Sequence, residues 1–92
     1  MPDKKVQVTI GSSISVSPET IQVKKAQDNV KWENDAGTEF SVDIPGYATP
    51  SCRREGNKYV CVSSTFPTVT TIKYSVSSPG KPILDPDIEV IP

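Results

Sequence analysis

The chain has 92 residues, ten basic and eleven acidic side chains, a formal net charge of −1, two cysteines and no histidine. A chain this short encloses one hydrophobic core, so residues 1–92 are read as a single domain. Lacking the side chain that titrates nearest neutrality, it has no imidazole for a nucleophilic triad, a zinc hydrolase or a blue-copper centre, so the expectation is a protein that is not an enzyme and holds no cofactor.

The start, Met1-Pro2-Asp3-Lys4-Lys5, runs straight into a strand pattern with no signal-peptide region. This leaves two readings open: a cytosolic protein, or a mature form whose leader has been replaced by Met1. Eleven Val, eight Ile and eight Thr stand against one Leu and three Ala, a balance of β-branched residues that suits pleated sheet. Val6, Val8 and Ile10 alternate with polar neighbours, and Gly11-Ser12-Ser13 ends the run. Ile14 and Val16 continue it to Ser17-Pro18, where proline removes a ladder donor. Ile21 and Val23 form a third inward pair, followed by a polar turn from Lys24 to Asn29. Val30 and Trp32 come next, broken by Asn34-Asp35-Ala36-Gly37, and then Phe40, Val42 and Ile44, stopped by Pro45-Gly46.

Gly56-Asn57 reads as a two-residue hairpin turn, glycine supplying the positive φ of its first central position. That turn sets Glu55 opposite Lys58, Arg54 opposite Tyr59, Arg53 opposite Val60 and Cys52 opposite Cys61. The cysteines then form a non-hydrogen-bonded pair with Cα atoms roughly 4.5 Å apart, within reach of a disulfide. A structural disulfide Cys52–Cys61 places the protein outside the reducing cytosol, in a periplasm or beyond the cell. A redox or metal-binding pair is the alternative, but the spacing is not Cys-x-x-Cys and no other soft ligand accompanies it. Ile72, Tyr74 and Val76 alternate as one further strand, and Ile88 and Val90 as the last. Seven or eight short strands between turn signals indicate an all-β, two-sheet sandwich.

Two segments resemble a known family. Ile14 to Asn34 contains Pro18-Glu19-Thr20-Ile21-Gln22-Val23, a short basic turn, and Val30-Lys31-Trp32-Glu33-Asn34. It resembles the cupredoxin pattern that leads toward the copper site. Ile72-Lys73-Tyr74-Ser75-Val76, followed by Gly80 and Asp85-Pro86-Asp87-Ile88-Glu89-Val90, is similar to the last two strands of that fold. Together they span a little over half the chain; residues between Ala48 and Thr71 match nothing in the pattern.

The resemblance implies a Greek-key, cupredoxin-like sandwich whose copper-ligand positions have been lost. The first histidine would fall at or beside Phe40, the cysteine at Val76 or Ser77, the second histidine near Pro79 or Gly80, and the methionine at Leu84. None of these side chains coordinates copper, and a site needing two imidazoles cannot be assembled from this chain.

Other groups were weighed for chemistry. Glu33, Asp35 and Glu39 cluster near the lost site, and Asp85 and Asp87 flank a strand entry. Calcium would demand about 6–8 oxygen ligands, whereas Glu33 to Glu39 reads as a polar turn with Asx-type hydrogen bonds. Trp32 and Tyr74 alternate inward as core residues. Tyr47 and Phe66, beside Pro45-Gly46 and Pro67, are candidates for exposed aromatic contacts. Arg53 and Arg54, with Lys58, form either a small anion patch or a solvated hairpin tip. Basic residues make no stripe for nucleic acid, and no apolar run approaches the roughly 20 residues of a membrane span. The expected partner is therefore another protein.

The resulting expectation is a copper-free, secreted or periplasmic cupredoxin-like module with a structural or protein-interaction role. The alternative is an immunoglobulin-like adhesion or carbohydrate-binding sandwich. A cupredoxin pairs its first and third strands in parallel, whereas immunoglobulin-type sandwiches are nearly all antiparallel. An enzyme working through Ser, Lys or carboxylates would need an exposed cleft around Asp35, Glu39 and residues 77–84.

Overall fold

The computed structural model describes residues 3–92; Met1 and Pro2, on which the question of a leader turns, lie outside the described residues. Alternating burial builds ten short strands: β1 (Asp3–Ile10), β2 (Ile14–Ser17), β3 (Thr20–Lys24), β4 (Asn29–Asn34), β5 (Ser41–Asp43), β6 (Ser51–Glu55), β7 (Lys58–Val62), β8 (Thr70–Lys73), β9 (Ser75–Ser77) and β10 (Asp87–Ile91). No helix occurs among the described residues. In β2 and β3 the apolar members of each alternation are buried and their neighbours exposed, the signature of strands with one face on a core.

Five strands form one sheet in the order β2-β1-β4-β7-β6, three form a second in the order β3-β10-β8, and β5 pairs with β9. The pairing is mixed. β1 runs antiparallel to β2 but parallel to β4, with Val6 opposite Trp32. β10 runs parallel to β3 and antiparallel to β8. The chain passes from the first sheet to the second between β2 and β3, where the Ser17–Pro18 peptide is cis. Side chains from all three sheets meet in one cluster that includes Val8, Val23, Trp32, Val42, Tyr74 and Ile88. The architecture is thus a sandwich-like all-β domain.

At the centre of that cluster Trp32 on β4 meets Tyr74, both 0 % exposed. Their rings pack edge to face with centroids 5.3 Å apart, and the Trp32 indole N–H donates to the Tyr74 hydroxyl at 3.0 Å. A buried indole needs a partner for its one donor, and this contact supplies it. Tyr74 also divides a strand that the alternation Ile72-Tyr74-Val76 suggests is continuous. Its backbone N–H donates to Pro86 O at 3.0 Å, in the same register that pairs Lys73 with Asp87 and Val76 with Leu84, while β9 also pairs with β5. That interruption at Tyr74 is one reason the strand count exceeds seven or eight. Phe40 and Ile44 likewise flank a three-residue β5 rather than belonging to it, yet both stay buried.

On the outer face of the larger sheet, Glu33 is only 6 % exposed. Lys5 on β1 lies 2.9 Å from its carboxylate, and Lys58 on β7 donates to it at 3.3 Å. The hydrogen bond and charge of Lys5, with those of Lys58, outweigh desolvation and hold the Glu33 carboxyl below its ordinary value of 4.5. The reciprocal contact holds the Lys58 ammonium above its usual range.

Two outcomes follow. Burial pushes the Tyr74 phenol up from 10.0 to about 12. The folded chain keeps that proton after the unfolded chain has lost it, so stability falls as pH rises from 10.0 to about 12. Tyr74→Phe is expected to lose that alkaline dependence and, with Trp32 left unpaired, to be about 1–3 kcal/mol less stable at neutral pH by urea unfolding. Glu33 has the opposite sign. Its stabilisation is present above pH 4.5 and lost as pH falls through the depressed folded value. Glu33→Gln is expected to cost on the order of 1 kcal/mol at pH 7 and to flatten the acid limb of the stability profile.

Candidate functional site

The loops after β4 and after β9 meet at one end of the domain. Asn34 shapes the first: its Oδ1 accepts from Thr38 N at 2.9 Å, its Nδ2 donates to Val8 O at 3.0 Å, and Gly37 N closes back on Asn34 O at 3.2 Å. Gly37 has φ 74°. A side chain there would also strike the hairpin tip, since a Cβ would lie 2.7 Å from Asn57 O and 2.9 Å from Arg54 Nη1. Glycine is what allows the β6–β7 turn to rest on this loop.

Beyond Gly37, residues 39–41 face residues 77–79 across an open depression of about 500 Å³, with Tyr59 completing the lining. Ser41 and Ser77 hydroxyls share a 2.7 Å hydrogen bond, and Ser78 Oγ donates to Glu39 O at 2.8 Å. Phe40 packs edge to face on Tyr59 with centroids 5.4 Å apart. The Arg54 guanidinium lies 5.9 Å from the centre of the Tyr59 ring, donates to Gly37 O at 2.9 Å, and approaches Glu39 at 3.6 Å. Arginine, tyrosine and phenylalanine thus form a three-member stack, of which Tyr59 and Phe40 line the depression.

Of the four positions that the cupredoxin resemblance assigns to lost ligands, Phe40 and Ser77 come together at this depression. Gly80 lies in the following turn, with Lys81 N bonded to Ser78 O at 3.1 Å. Leu84 returns alongside β9, exchanging two backbone bonds with Val76 at 2.8 and 3.1 Å. The carboxylates disperse: Glu33 goes to Lys5 and Lys58, Asp35 to Lys58, Glu39 to Arg54, Asp85 to Ser75 and Asp87 to Lys73. Among the described residues no three of His, Cys, Asp or Glu gather as they would to hold a metal ion.

The hairpin has the register that Gly56-Asn57 implies, with Gly56 at φ 60°. Cys52 and Cys61 are disulfide-bonded with Cα atoms 4.0 Å apart. Cys61 is buried opposite Trp32, so the bond ties β6 to the core side of the sheet. An intramolecular disulfide is compatible with an oxidising compartment. Arg53 and Arg54 are 62 % and 51 % exposed, yet they point to opposite faces: Arg53 pairs with Glu55 and Arg54 with the loop end. With Lys58 turned to Glu33, the three cations do not form a common patch.

Tyr47 and Phe66 are not exposed contacts. Phe66 is 1 % exposed and Tyr47 is half-buried against it, the rings edge to face at 5.4 Å. Phe66 O also accepts from Ala26 N at 2.8 Å, which pins its loop to the turn after β3. Among the described residues the exposed large apolar side chains are instead Val69 and Ile83, the latter between Pro82 and Leu84. The chain matches no protein-family model and no curated protein. No helix among the described residues is long and apolar enough to cross a membrane.

Closing a loop of this size with a disulfide stabilises by about 2–3 kcal/mol. Reduction, or the double replacement Cys52→Ala with Cys61→Ala, is expected to lower the unfolding free energy from urea denaturation by that amount. Alkylation without prior reduction is expected to leave the intact mass unchanged.

Proposed function

We propose that this chain is a copper-free, cupredoxin-like domain that works outside the reducing cytosol as a structural or protein-interaction module rather than as an enzyme. The observation that carries this reading is the meeting of Phe40 and Ser77 at one loop end, at the positions where the resemblance calls for histidine and cysteine. A buried phenyl ring stacked on Tyr59 occupies the first and a hydroxyl bonded to Ser41 the second. Neither offers an imidazole or a thiolate, and the chain has no histidine to supply elsewhere. The parallel pairing of β1 with β4 supports the scaffold over a sandwich whose strands are nearly all antiparallel. The second parallel pair, β3 with β10, weighs against an immunoglobulin-type sandwich in the same way.

The depression is open and contains one carboxylate, Glu39, already facing Arg54. Its three serine hydroxyls are committed to one another and to backbone, so no base stands beside a free serine nucleophile. Binding is therefore the activity this surface supports, and the disulfide suits a periplasmic or extracellular setting.

Titration of ¹⁵N-labelled protein with Cu(I) and Cu(II) tests the copper-free reading. The expected result is no saturable shift at the amides of Phe40, Ser77, Gly80 or Leu84. Saturable shifts clustered there would overturn it.

A further inference from the structure

Strand β6 ends the five-stranded sheet and is paired on one side only, to β7. Its ladder alternates. The pair that flanks a two-residue turn exchanges hydrogen bonds, so Glu55–Lys58, Arg53–Val60 and Ser51–Val62 point their backbone groups at each other. The N–H and C=O groups of Cys52 and Arg54 therefore point away from β7, along the free edge. Among the described residues no hydrogen bond uses these four groups. The disulfide at Cys52 holds the edge extended and fixed to the core, which removes much of the ordering cost of adding another strand.

The side chains on this edge select what can join it. Arg53 projects from the outer face and Arg54 from the inner face, and both are more than half exposed. Each has spare donors. Arg53 uses Nε and one terminal nitrogen on Glu55, and Arg54 spends one N–H on Gly37 O, while a guanidinium carries five. Glu55 and Glu39 are surface partners at the low end of ion-pair strength, so a carboxylate delivered on a paired strand competes with them on good terms. On the outer face, Lys31, Ser51, Arg53 and Ser63 line a further depression of about 470 Å³ beside the strand. A second copy of β6 would bring Arg53 and Arg54 against their own equivalents, and like charges across a ladder repel.

We propose that β6 is a docking edge for an extended acidic segment of a partner protein, which adds as a sixth strand. Main-chain bonds to Cys52 and Arg54 give affinity, and successive acidic residues facing Arg53 and Arg54 give selectivity. This rests on the interaction-module reading and names the partner chemistry for it.

The test uses a blocked hexapeptide with two central glutamates flanked by valine and threonine, titrated into the ¹⁵N-labelled, disulfide-intact protein at low salt. Saturable shifts and slowed hydrogen exchange at the Cys52 and Arg54 amides are expected. Arg53→Glu should weaken binding at least tenfold, Arg54→Gln should weaken it less, and salt should weaken it throughout. A peptide with lysines for the glutamates, or one N-methylated at a central residue, should fail to protect either amide. Equal binding of the glutamate and lysine peptides, shifts confined to Phe40 and Ser77, or protection that grows with protein concentration without peptide would each overturn the proposal. So would the absence of saturable shifts at millimolar peptide. Copper binding in the earlier titration would overturn the module reading alone and leave this result standing.

Discussion

The bond between the Trp32 indole and the Tyr74 hydroxyl is the constraint around which the domain is arranged. Trp32 lies in the middle of the larger sheet, between β1 and β7, and Tyr74 lies between β8, paired with β10, and β9, which also pairs with β5. A hydrogen bond with no water to replace it makes the two rings a fixed pair, because separating them leaves a buried donor without an acceptor. The two sheets are thereby set at one distance and one register. Cys61, directly across the ladder from Trp32, extends that rigid centre into the hairpin.

Charge is arranged by face. The inner surfaces of the sheets are apolar apart from Arg54 on the edge strand, whereas the outer face of the larger sheet carries Lys5, Lys31, Glu33, Lys58, Arg53 and Glu55, both signs interspersed, across four strands. Most of these contacts are exposed and individually weak. Glu33 is the exception: its carboxylate is shielded while its two lysines are not, so the penalty of removing a negative charge from water is met by cations that stay wet. Glu33 is therefore an acid-sensitive tie across three strands.

What was legible in the amino-acid sequence was whatever follows from local alternation and turn chemistry. Val30 and Trp32, Ile21 and Val23, and Ile88 and Val90 are buried as their period-two spacing implies. Gly56-Asn57 fixes a register from which the disulfide follows. Phe66 was misread because Ser63-Ser64-Thr65-Phe66-Pro67 has no period; it is buried by Tyr47 and the turn at Ala26, far away in sequence. The break at Tyr74 leaves the alternation intact, since residues 70–76 keep one register against residues 84–90 and β9 only adds β5 as a further neighbour. The stack of Arg54, Tyr59 and Phe40 depends on a glycine seventeen residues from the arginine, and no local pattern announces it.

Placing β10 between β3 and β8 has a consequence for how the chain assembles. Gln22 on β3 and Glu89 on β10 are hydrogen-bonded neighbours separated by 67 positions. Until the strand near residue 90 exists, residues 20–24 and 70–73 have no common template and the smaller sheet lacks its middle. Such long-range closure makes the rate-limiting search slow, because the entropy of a large loop must be surrendered before any ladder bond repays it. A nascent polypeptide therefore reaches this topology only after residues 87–91 have left the ribosome.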